Sequence, residues 1–263
     1  MNMRNIKLTI AYDGTGYHGF QAQKGTGLLT IQEALERVLG ILTKEQVTVI
    51  GSGRTDAGVH AWGQVVNFHS KTRIPAERLP LAANSLLPPS IVVRKAEDVP
   101  PDFHARFDAV SKTYCYTIYN DRIMLPFWRN YAYHVPVALD TVQMKKACAY
   151  LEGRHDFSAF CASGTAVKNY VRTIESFRIT QEGCLLKFAV TGDGFLYNMV
   201  RIMVGTVLDV GKNKLRPEDI PEILKAQNRV AAGTTLPPQG LCLMNVEYPP
   251  HFGKSHLDRG REV

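Results

Sequence analysis

The chain has 263 residues, 45% of them hydrophobic, enough to bury one large core or two small ones. Its 31 Lys and Arg against 24 Asp and Glu give a net charge of +7 and a pI near 9.1, which favours a polyanionic partner. Five scattered cysteines (Cys115, Cys148, Cys161, Cys184, Cys242) form no C-x-x-C pair, which argues against a disulfide framework or zinc finger, and without a signal-like or membrane-spanning stretch the expectation is a soluble, cytoplasmic protein.

Ile6, Leu8, Ile10 and Tyr12 alternate with polar neighbours and predict a first strand. After a glycine-rich loop, Thr30-Ile31-Gln32-Glu33 reads as a capping box, and apolar residues recur at helical spacing through Leu42, predicting a helix over 30–42. Strands are expected at 47–51 and 64–69, a helix over 75–86 restarted or kinked at Pro80, and a strand at 91–97. The order is βαββαβ.

From Ser111 that order recurs. The pattern predicts a strand at 114–118, a helix at 141–151, a hairpin of 176–180 with 185–190 around Glu182-Gly183, and a long helix over 196–210. Another helix starts at 216–219 with proline in its first turn, before a closing strand at 241–246. The expected fold is therefore α+β, with two ferredoxin-like (split βαβ) halves whose antiparallel sheets join around a central cleft. Residues 1–105 form the N-terminal half, 106–250 the C-terminal half, with 99–110 linking them, and 251–263 is a polar tail.

The most informative segment is Gly51-Ser52-Gly53-Arg54-Thr55-Asp56-Ala57-Gly58-Val59-His60-Ala61-Trp62-Gly63-Gln64. It sets one carboxylate beside an arginine in a glycine-rich bend, where glycines permit positive φ and close backbone approach. Arg54 can hold Asp56 ionised where water is scarce, making Asp56 a candidate nucleophile or base. The alternative is a turn whose Asp caps backbone N–H groups. A dinucleotide fingerprint is excluded, because Gly58 comes too late and a strand follows; Gly253-Lys254-Ser255 is no P-loop, because Tyr248 occupies the position of the leading glycine.

A junction between two pseudo-repeats forms a cleft, with Asp56 expected at its wall. Arg201 is a cation on an otherwise apolar helix face, and the carboxylate offered to it across the cleft is Asp56; the alternative is an arginine extended into solvent. Tyr114, Tyr116 and Tyr119 with Lys112 and Arg122 suit stacking on a base beside a phosphate backbone, or ordinary strand packing. Histidines His60, His69, His104 and His155 show no ligand spacing, so no metal is expected.

Together, Gly53-Arg54-Thr55-Asp56-Ala57-Gly58-Val59-His60, Tyr12-Asp13-Gly14-Thr15, Phe103-His104-Ala105-Arg106-Phe107, Tyr114-Cys115-Tyr116, Met199-Val200-Arg201 and Gly240-Leu241 closely resemble the TruA family of tRNA pseudouridine synthases. The match runs over 6–248; Phe20 departs from the Trp that relatives often carry after Gly19, which bears on a loop contact. The resemblance implies that Asp56 is the catalytic aspartate, Arg201 its ion-pair partner, Arg54 a tRNA contact, and Tyr114 the residue stacked on the target uracil. It also implies a homodimer that isomerises uridines 38, 39 and 40 of the tRNA anticodon stem-loop without a cofactor. Such chemistry requires a flipped base and an activated glycosidic bond, and the aspartate has three routes: addition to C1′, attack on C6, or removal of a sugar proton. A non-catalytic tandem RNA-binding protein shares the charge and tyrosines but has no need of an Asp with two arginines. A metal-dependent nuclease needs several converging carboxylates or histidines where the motifs offer one.

Overall fold

The structure, a computed structural model, describes residues 2–23, 27–164 and 167–250. These form a mixed α+β fold of mostly antiparallel strands in two compact units, the first running to Val110 and taking in the segment from Leu243, the second spanning Ser111–Cys242.

In the first unit, β1 (Arg4–Tyr12) is followed by α1 (Ile31–Thr43), β2 (Ile50–Gly51), β3 (His60–Ser70), α2 (Leu79–Asn84) and β4 (Ile91–Val99). The strand order is β4-β1-β3, antiparallel throughout, with β2 paired to β3. Alternation on β1 buries Ile6, Leu8, Ile10 and Tyr12, and the apolar stripe Ile31, Ala34, Leu35, Val38 and Leu39 of α1 is buried as well. Thr30 caps α1 by accepting the Glu33 N–H at 3.3 Å, while its hydroxyl donates to the Glu33 carboxylate at 2.7 Å. Lys44, with φ of 59°, ends the helix.

The strand expected over 47–51 shrinks to Ile50–Gly51. Side chains of α1 take the backbone of Val49 instead: Glu36 accepts its N–H at 2.9 Å and the Gln32 amide donates to its carbonyl at 3.2 Å. The helix expected over 75–86 divides into a 3₁₀ turn, Ala76–Arg78, and α2, where Pro80 occupies the second position and its missing N–H needs no partner.

The second unit contains β5 (Ser111–Tyr119), β6 (Tyr133–His134), α3 (Thr141–Leu151), β7 (Gly153–Asp156), β8 (Val171–Glu182), β9 (Leu185–Gly192), α4 (Met199–Gly211) and α5 (Ile220–Ala226). Its antiparallel order is β5-β9-β8-β7, with β6 added in parallel to β5. The very short β6 and the polar β7 carry no alternation, and so left no trace in the pattern. α4 is buried almost all round and starts three residues later than expected, because Asn198 adopts φ of 59°. Pro217 opens a 3₁₀ turn, Pro217–Asp219, ahead of α5.

The last strand, β10 (Leu241–Glu247), belongs from Leu243 onward to the first unit, where it neighbours β3. The expected polar tail, 251–263, lies outside the described residues. Among the described residues no helix is long and apolar enough to cross a membrane.

Candidate active site

Asp56 lies half-buried in the loop joining β2 to β3, two residues after the exposed Arg54. Buried Gln64 fastens the foot of this loop. Its Oε1 accepts the Ser52 hydroxyl and, at 3.1 Å, the Val65 N–H, while its Nε2 donates to the Gly53 carbonyl at 3.0 Å. The Ser52 N–H donates to the Val65 carbonyl at 2.8 Å. At the tip, the Val59 N–H returns to the Asp56 carbonyl at 3.1 Å, a turn that uses the positive φ of Gly58, 76°.

A second clamp comes from the segment after β1. The Phe20 N–H donates to the Thr55 carbonyl at 3.0 Å, the Gly58 N–H to the Tyr17 carbonyl at 3.3 Å, and the Tyr12 and Thr55 hydroxyls share a buried bond of 2.8 Å. His60 Nδ1 accepts the Gly14 N–H at 3.0 Å, and Asp13 Oδ1 accepts the Thr15 N–H at 2.9 Å. Two glycines make this approach possible. A Cβ on Gly14 would stand 2.1 Å from the Val59 carbonyl oxygen, and one on Gly19 would stand 2.5 Å from that of Thr55. Phe20 is fully buried with its ring against Gly51, so the residue that departs from the expected Trp supports the same loop.

Backbone and side-chain bonds thus fix the loop from both ends, and the one carboxylate in it is presented without the entropy of a free turn. Such a group can add to an electrophilic carbon or take a proton.

In the second unit, Tyr114 on β5 is 9% exposed and meets Phe195 edge to face, with ring centroids 5.1 Å apart. The three-tyrosine stacking strand does not survive intact: Tyr116 is 0% exposed and Tyr119 4%. The Tyr116 hydroxyl donates to the Pro237 carbonyl at 2.8 Å, and burial pushes its phenol far above the ordinary range, so this ring is core. Arg201 is half-buried in the first turn of α4, where its Nε donates to the Leu236 carbonyl at 2.7 Å and its Nη1 to Asn198 Oδ1 at 2.6 Å. These bonds hold the guanidinium in a set direction instead of leaving it to extend along the surface. Among the described residues no three His, Cys, Asp or Glu side chains converge as metal ligands would.

The sequence pattern described as tRNA pseudouridine synthase matches residues 8–108 and 147–249. The chain belongs to this family. It is 49% identical over 243 residues to a tRNA pseudouridine synthase A of Moorella thermoacetica, covering 92% of this chain and 99% of the relative. It is 48% identical over 246 residues to one of Acetivibrio thermocellus, and 50% identical over 246 residues to tRNA pseudouridine synthase A 2 of Clostridium perfringens; each match covers 94% of this chain and 100% of the relative. The chain is accordingly an isomerase that acts on uridine in tRNA.

The sequence singles out Asp56 and Arg54 as candidates but gives no sign of most of the residues that hold their loop. Gln64, Tyr12 with Thr55, and His60 with the Gly14 N–H do that work. A signal was present in Gln64, a polar residue that opens an apolar strand and is 0% exposed, because a buried amide must bond to something.

Proposed function

We propose that the chain converts uridines 38, 39 and 40 of the tRNA anticodon stem-loop to pseudouridine. In this reading Asp56 is the catalytic carboxylate, Arg201 its ion-pair partner, Arg54 a tRNA contact, and Tyr114 the ring that stacks on the target uracil. In this reading the chain is built of two ferredoxin-like halves, 1–105 and 106–250, and the working form is a cytoplasmic homodimer.

The reaction breaks N1–C1′, forms C5–C1′, gives N1 a proton and takes one from C5. It is atom-balanced within the nucleotide and draws on no external donor or oxidant. The observation that carries the reading is the doubly clamped loop that presents Asp56: glycines at 14 and 19 admit the neighbouring backbone, and Gln64 fastens the base. A non-catalytic RNA-binding protein has no use for such rigidity around one carboxylate. Orientation of Arg201 by Asn198 and Leu236 supports its role, since a guanidinium fixed in direction can bind a carboxylate bidentately. The edge of Phe195 against Tyr114 supports a ring held still for stacking.

The test is incubation of the purified chain with unmodified tRNA transcripts carrying tritium at uridine C5. Tritium release is expected from transcripts with uridine at 38, 39 or 40, and not from a transcript with cytidine at all three. Equal release from the cytidine transcript would overturn the assignment of position.

A further inference from the structure

We propose that Trp62 and Arg94 form a platform on the first unit that holds an unpaired nucleobase of the tRNA and its phosphate; the proposal rests on the functional reading above. Of the eleven residues of β3, only Trp62 and His69 are exposed. Trp62 is 58% exposed, although large aromatic side chains generally bury most of their surface. The Arg94 guanidinium carbon lies 4.8 Å from the centroid of the Trp62 ring, and its Nη1 donates to the Trp62 carbonyl at 2.7 Å. The arginine thereby holds both the ring and its backbone.

The pair arises from two irregularities on either side of β1. Between β1 and β3 the register passes from Ile10↔Gln64 to Tyr12↔Ala61, so Trp62 and Gly63 together oppose Ala11. Between β1 and β4 it passes from Thr9↔Lys95 to Ile10↔Val93, so Arg94 is the extra residue. Bulges re-aim side chains, and here two of them sit at the same level of β1 and bring together residues from strands that are not neighbours. Gly63 lets the backbone of β10 come close, a Cβ there standing 2.4 Å from the Met244 carbonyl oxygen.

What the pair offers is unused. Arg94 has five N–H donors and spends one on the Trp62 carbonyl; the other four, and the indole N–H of Trp62, have no partner among the described residues. Val92, 40% exposed and paired with Ala11, extends the apolar floor. An aromatic face backed by a guanidinium, with free donors at its rim, matches the π-face of a base and the oxygens of its phosphate. The place fits as well: Trp62 lies two residues from Gln64, which holds the foot of the Asp56 loop. RNA bound there would be held by the same strand that steadies the carboxylate.

The experiment uses a Trp128→Phe variant, in which Trp62 is the one indole left. Titration with an unmodified tRNA transcript is expected to change Trp62 emission and to shield it from acrylamide, whereas polyphosphate is expected to do neither. Trp62→Leu is expected to weaken tRNA binding about tenfold, with Trp62→Phe recovering most of the loss. Transcript that is retained on a filter with the protein while Trp62 emission and quenching stay unchanged would overturn the platform and leave the face to another partner. A Trp62→Leu protein with lowered thermal stability and unchanged tRNA affinity would reduce the pair to a brace between strands. A parent protein that fails to bind tRNA at all would overturn the functional reading, and the platform with it.

Discussion

The Tyr12 hydroxyl lies 2.8 Å from the Thr55 hydroxyl, buried in the first unit one residue ahead of Asp56. The bond ties the end of β1 to the Asp56 loop through two side chains that have no contact with substrate in the proposed mechanism. Tyr12→Phe keeps the ring and deletes the bond, leaving a buried Thr55 hydroxyl without it. The expected cost is about 1–2 kcal/mol of stability. Because the loop carries Asp56, the single-turnover rate is expected to fall on the order of tenfold while tRNA affinity changes little. A Tyr12→Phe protein with an unchanged single-turnover rate would show that the clamp serves folding alone.

Tyr114 separates packing from substrate contact. It is 9% exposed and braced by Phe195, so removal of the ring affects both. Tyr114→Phe is expected to keep the stacking surface and most of the activity, whereas Tyr114→Ala loses roughly 1–3 kcal/mol of base interaction. The two are compared by kcat/KM with thermal melts in parallel. Similar activity in the Phe and Ala variants would make Tyr114 a core residue.

The Glu97 carboxyl pairs with both Lys7 and Lys95, and Lys7 also lies 5.7 Å and 5.5 Å from the ring centres of Phe103 and Tyr248. Burial alone pushes this carboxyl up, but hydrogen bonds and charge from the two lysines outweigh it and hold it below its usual range. A folded-state pKa below the unfolded value means stability that is present above the ordinary carboxylate range, about 4.3, and is lost as the pH falls through the folded value. The denaturation midpoints of the native protein and of Glu97→Gln are therefore expected to differ at pH 7 and to converge as acidification protonates the folded-state carboxyl. A constant difference across that range would contradict the assignment.

The fold was legible where one face of an element is buried and the other is not. The alternation of β1 and the stripe of α1 announced themselves in this way, and so did the αβ order of each part of the chain. It was illegible where side chains replace backbone pairing, as Glu36 and Gln32 do at Val49, and where a lone residue at positive φ, Asn198, resets a helix start. β10 was recognised as a strand, but its membership of the first unit depends on contacts far apart in sequence, such as Gly63 with Met244. At the site, residue chemistry marked Asp56 and Arg54 because glycines and charge cluster there. The supporting bonds of Tyr12, His60 and Gln64 join positions tens of residues apart, or need knowledge of which side of a strand is buried. Tyr116 and Tyr119 shared the composition of a stacking surface, and only burial distinguishes them from Tyr114.

The central claim is that Asp56 performs the chemistry. The direct measurement is single-turnover tritium release from tRNA labelled at uridine C5, with Asp56→Ala, Asp56→Asn and Asp56→Glu compared with the native chain at saturating enzyme. All three are expected to bind tRNA with near-native affinity and to release no tritium above background, Asp56→Glu included, because the clamped loop fixes where the carboxylate must stand. Release at a substantial fraction of the native rate by Asp56→Ala, in a preparation free of the host enzyme, would contradict it.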